Sequence, residues 1–196
     1  VNVPTTNAEA SSADFGLDLN GDGGVDNQLG RVLATLKMSN IDAQAALDEA
    51  VATGSIILLG DMTTTSFDAA SGAGFSIYIG DNPGTDPCTD PLDVATCGLH
   101  LDGATTFDIK AGTPTDGTVA GSFAGGTFTG GPGTLNLQIA LSSGSPIDIA
   151  LQDARAKITD ITATTITQGV IGGSGLKTDI DTKILPAVAD LITPIV

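Results

Sequence analysis

The sequence predicts an α+β fold: an antiparallel, curved β-sheet of about eight strands packed on N-terminal and C-terminal helices. Three observations carry this reading. Apolar residues fall at helical spacing near both ends of the chain. Between those ends they alternate with polar residues, the pattern of a strand with one dry and one wet face. The 196 residues include 26 Gly but only 6 Phe, 1 Tyr and no Trp, which suits strands, tight turns and an aliphatic core. A β-sandwich with peripheral helices is the competing arrangement.

Residues 1–13 read as an extended N-terminal arm, and residues 14–196 as a single domain. In that domain 14–54 hold an acidic loop and helices, 55–171 a β meander, and 176–196 a C-terminal helix. Leu29, Val32, Leu33 and Leu36 space a helix over 27–38. Ile41, Ala45, Leu47 and Val51 space a second over 41–53, with Ser39 or Asn40 as its N-cap and Gly54 as its stop.

The strands follow. The unbroken Ile-Ile-Leu-Leu at 56–59 reads as a strand buried on both faces. Phe75, Ile77 and Ile79 alternate with Ser76 and Tyr78. Residues 98–101 and 105–111 add short strands, the latter through Phe107 and Ile109. Val119, Phe123 and Phe128 continue over 117–129, broken by glycines. Gly-Gly-Pro-Gly at 130–133 reads as a turn. Leu135, Leu137, Ile139 and Leu141 then alternate cleanly, 142–145 turns the chain, and Ile147, Ile149 and Leu151 repeat the alternation. This pair is the clearest hairpin. Residues 156–170 add one or two Thr-rich strands, and Gly-Gly-Ser-Gly at 172–175 reads as a flexible break. The chain ends on a helical stripe of Ile180, Ile184, Val188, Leu191, Ile192 and Ile195. Pro186 inside it kinks the helix or restarts it with Pro near the first turn.

The formal charge is −16, with seven Lys plus Arg against 23 acids. That excludes nucleic acid, which needs a basic footprint, and disfavours docking on anionic lipid. No apolar run reaches the length of a transmembrane segment. The chain begins at Val1 rather than Met, which a removed signal peptide or a trimmed terminus would each produce. Cys88 and Cys97 flank a short loop rich in turn formers. One His leaves too few ligands for zinc, and the spacing is not that of a redox pair, so a disulfide is expected. Such a bridge belongs to an extracytoplasmic setting, whether secreted, cell-surface or periplasmic.

The stretch with the most recognisable chemistry starts at Asp18. Asp18, Asn20, Asp22 and Asp26 place oxygen donors at positions 1, 3, 5 and 9 of a loop. Gly23 takes the sharp turn at position 6, Gly24 offers its carbonyl at 7, and Val25 is the apolar anchor at 8. Calcium takes six to eight such oxygens, which these positions begin to supply. The run resembles the calcium loops of EF-hands, and more closely the shorter loops of dockerins and thrombospondin type 3 repeats. The resemblance implies a structural Ca²⁺ held by Asp18, Asn20, Asp22, Gly24 and Asp26. Position 12, acidic in those families, is Leu29, so affinity on the order of 10⁻⁴–10⁻³ M is expected, with Asp14 as a reserve ligand. The plain alternative is an Asp/Asn/Gly turn without an ion.

No enzyme emerges. His100 is the one histidine, placed on a presumed strand with Asp102 on the same face, and no serine stands in an elbow motif. The acids include only two Glu, Glu9 and Glu49, both outside the strands. The run at 172–175 lacks the Lys-Ser/Thr register of a phosphate loop and reads as a hinge. The expectation is a non-enzymatic secreted or cell-surface structural protein that self-associates, braced by calcium and a disulfide. The alternative is an extracytoplasmic carrier of an apolar ligand or lipid.

Overall fold

The N-terminal stretch does not form an extended arm. In the computed structural model, which describes residues 2–84, 89–141 and 146–192, it makes one helical turn, α1 (Asn7–Ala10). The Thr6 side chain caps it by accepting the Glu9 N–H, while the Glu9 carboxylate accepts the N–H and hydroxyl of Thr5. The turn lies on its own chain. Ala10 is fully buried, and the Val3 N–H donates to Gln44 Oε1 at 2.7 Å.

Two longer helices follow, α2 (Gln28–Met38) and α3 (Ala43–Ala52). The Asn27 side chain caps α2 and Asp42 caps α3, so neither Ser39 nor Asn40 is the second cap. Asn40 instead ends α2 in the left-handed region at φ 63°, with its N–H on Lys37 O and the Ile41 N–H on Leu36 O. Gly54 ends α3 in the same way at φ 69°, and the Gly54 and Ser55 N–H groups satisfy Val51 O and Ala50 O.

Six strands then form one antiparallel sheet in chain order: β1 (Leu58–Thr63), β2 (Ala69–Ile79), β3 (Val119–Ala124), β4 (Thr127–Ile139), β5 (Ile147–Ile161) and β6 (Ile166–Gly175). Among the described residues the architecture is α+β with a curled half-barrel, a single sheet of six strands rather than eight strands or two stacked sheets. The losses have local causes. Residues 98–101 contain a single 3₁₀ turn, and 105–111 contribute one bridge, Gly80 to Ile109. Ile56 and Ile57 are buried ahead of β1, which is itself an edge strand with Leu58 partly exposed.

Glycines set the remaining departures. The β3–β4 turn is Gly125-Gly126, both with positive φ, the conformation a two-residue hairpin requires. The Gly-Gly-Pro-Gly at 130–133 therefore sits inside β4, where the pairing with β5 shifts register. Gly130 opposes Gly121. A Cβ on Gly130 would lie 2.6 Å from Phe128 Cζ, so the missing side chain lets the ring fold over the strand. The run at 172–175 is no hinge: it pairs with β5 as the end of β6. The β4–β5 hairpin is as expected, with Leu135 opposite Leu151, Leu137 opposite Ile149 and Ile139 opposite Ile147. Its expected turn at 142–145 lies outside the described residues.

The curl brings β2 against β4 over an apolar core. Phe75, Phe123 and Phe128 pack there with ring centroids 5.6–6.3 Å apart, beside Val119, Leu135 and Ile158. The helices gather at the end of the sheet where β4 leaves and β5 begins. There Leu33, Ala43 and Leu141 meet Ile139, Ile147, Ile184 and Val188. The C-terminal segment runs α4 (Lys177–Asp179), a π-helical turn at Ile180–Ile184, then α5 (Leu185–Ile192). The Leu185 N–H reaches back to Ile180 O, widening the helix before Pro186, which has no N–H and crowds the carbonyl four residues earlier.

Candidate metal centre

The loop at 18–26 leaves and re-enters the fold at one point. Leu17 bridges Asp26, whose N–H donates to Leu17 O at 2.9 Å. Asn27 follows at once and caps α2 through Gly30 N–H at 2.7 Å, while its own amide donates to Phe15 O at 2.7 Å. On the other side the loop stem leans on β6. A Cβ placed on Gly172 would lie 3.3 Å from Leu19 Cδ2 and 3.7 Å from Leu17 Cβ. The loop therefore joins the start of α2 to the end of the sheet.

Within it, carboxylates order the backbone. Asp18 accepts the Gly21 N–H at 2.6 Å and the Gly23 N–H at 2.8 Å. Asp22 accepts the Gly24 N–H at 2.8 Å, and Asp26 accepts those of Leu19 and Asn20 at 2.9 and 3.2 Å. Gly21 and Gly23 take φ of 84° and 88°, which lets the N–H groups turn inward. The Gly21 N–H, and then that of Gly23, holds the Asp18 carboxyl below its ordinary pKa.

Asn20 links the other two acids. Its amide nitrogen stands 3.2 Å from Asp22 Oδ2 and 3.4 Å from Asp26 Oδ1, while its Oδ1 accepts the Asp22 N–H. Asp22, Asp26 and Asn20 are thus brought together, and Asp18 is tied in through the backbone. The donors are hard oxygens, the kind calcium takes. Among the described residues, however, no three acidic, His or Cys side chains gather into a metal-holding group. Leu29 has no side-chain oxygen to offer at position 12 and packs, partly buried, against the helical core.

No protein-family model, curated protein or solved structure matches the chain.

The other candidates resolve as structural contacts. His100 lies in the 3₁₀ turn, not on a strand, and its Nε2 donates to Val51 O and Ala52 O, each at 3.1 Å. Asn82 donates to Thr53 O beside it at 3.2 Å. These two side chains finish the C-terminus of α3, a role the sequence reading missed because its partners lie 29 and 48 residues apart. Asp102 accepts the N–H groups of Ala104 and Thr105. Of the expected disulfide pair, Cys97 is buried, and Cys88 lies outside the described residues.

A surface cleft of about 280 Å³ lies between 110–114, β5 and α4. Two of its charges are paired: Lys183 meets Asp179 at 2.7 Å and also donates to Asp148 O at 2.9 Å, pinning the C-terminal helix to β5. Among the described residues no helix is long and apolar enough to cross a membrane.

Proposed function

We propose that the chain is a non-enzymatic structural or assembly protein of the extracytoplasmic space, braced by calcium on loop 18–26 and by a Cys88–Cys97 disulfide. The observation that carries this reading is the loop's position. It stands between the Asn27 cap of α2 and Gly172 of β6, so an ion bound by its oxygens ties the helical layer to the sheet. Calcium would be held by Asp18, Asn20, Asp22 and Asp26 with the Gly24 carbonyl, and its role is mechanical. This chain's own part is to aim the carboxylates, which the five backbone N–H groups already orient.

Self-association is the partner reading. The N-terminal stretch offers no free arm for it, since Val3 and Ala10 pack on their own chain. An open sheet leaves two edges, and edges without charge are templates for pairing. β6 carries no charged residue along Ile166–Gly175, in a chain of net charge −16. It is therefore the edge at which two acidic copies meet with least repulsion. The carrier alternative gains nothing from the curled face, which Phe75, Phe123, Phe128 and Leu135 fill.

Native mass spectrometry with and without chelator tests both halves. A calcium-braced assembly gives an oligomer that loses ion mass on chelation and is reduced to monomer by Gln168→Lys on exposed β6. A monomer carrying lipid-sized mass, or one indifferent to chelator, contradicts it.

A further inference from the structure

We propose that Asn20 is a self-modifying residue, its side-chain amide converted to a carboxylate through attack by the Gly21 backbone nitrogen. Asn20-Gly21 is the one Asn-Gly step in the chain. Both residues are exposed, and a Cβ on Gly21 would meet nothing within 4 Å. With no side chain after it, the attacking nitrogen is sterically unshielded. Its N–H points at Asp18 Oδ1, 2.6 Å away, which draws the proton as the nitrogen attacks.

The step balances. Gly21 N bonds to Asn20 Cγ and gives its proton to Asp18 Oδ1, the Cγ–Nδ2 bond breaks, and the leaving nitrogen takes up a proton from water or from Asp18 and departs as ammonia. Water then opens the cyclic imide at either carbonyl, giving aspartate or isoaspartate. No oxidant or metal takes part. The product loses both hydrogen bonds that Asn20 Nδ2 donates, to Asp22 and Asp26, and sets a fourth carboxylate among the three. Aspartate satisfies the calcium-loop pattern at this position as well as asparagine does. Conversion therefore loosens the ion-free loop and strengthens its demand for a cation.

The test is peptide mass mapping of the full chain after incubation in mildly alkaline buffer with chelator, so that the outcome does not depend on the calcium reading. The loop peptide gains about one dalton and splits into two isomers, the signature of this covalent change. It does so ahead of Asn2, Asn7, Asn27, Asn40, Asn82 and Asn136. Asn20→Gln, which must close a larger ring, loses that gain. A loop peptide unchanged while other asparagines convert, or an equal gain in Asn20→Gln, overturns the proposal.

Discussion

Leu19 rests on Gly172: a side chain begun at Gly172 would start 3.3 Å from Leu19 Cδ2. This contact joins the acidic loop to the last strand. Gly172→Val pushes Leu19 off the sheet and destabilises the fold by about 1–3 kcal/mol, as overpacking does. Leu19→Ala makes room, so the double variant falls short of the sum of the two single losses. Urea melts of the four proteins measure the coupling.

Phe128 is the centre of the curled sheet, fully buried between Phe75 and Phe123. Phe128→Ala costs about 3–5 kcal/mol. Gly130→Ala costs about 1–3 kcal/mol from the opposite cause, because its methyl meets the ring at 2.6 Å. Adding Phe128→Leu to Gly130→Ala recovers part of that loss, again by urea melt.

His100 closes α3 from forty-eight residues away. His100→Ala removes the side-chain donor from Ala52 O and leaves Val51 O only its backbone donor, and costs about 1–3 kcal/mol. Hydrogen exchange rises first at the end of α3, while the amides of β3 to β5 stay protected. Uniform loss of protection would count against a local cap.

What the sequence made legible follows the range of the interaction. Local periodicity placed α2, α3 and the two strands of the β4–β5 hairpin, which the structure pairs with Leu135 opposite Leu151 and Ile139 opposite Ile147. Glycines misled it in both directions. Those at 130–133 and 172–175 read as turn and break, yet they lie in strands because ring packing and sheet pairing need bare backbone there. The turn that does form, at Gly125-Gly126, was hidden within a run of apparent strand. In the candidate site the motif named the acids. It could not name Leu17, Leu19 and Gly172, since their contact spans the length of the chain.

Acid weakens the loop in a defined sense. Hydrogen bonds from Gly21 and Gly23 depress the Asp18 pKa below its ordinary 3.8. The stabilising contribution is therefore present above that ordinary value and is lost as pH falls through the lower folded value. Wild type outmelts Asp18→Asn at neutral pH, and the two melting curves converge at strongly acidic pH. A gap that persists there would remove Asp18 ionisation from the account.

The most direct test of the brace is the melting temperature of wild type and Asp22→Ala, each in millimolar calcium and in chelator. Calcium bound only to the folded loop raises the wild-type melting temperature by mass action. The predicted result is a calcium-dependent rise in wild type that Asp22→Ala abolishes, with the two proteins close together in chelator. A wild type that melts at one temperature in both buffers, with Asp22→Ala equally weakened in each, contradicts it and leaves a hydrogen-bonded turn without an ion.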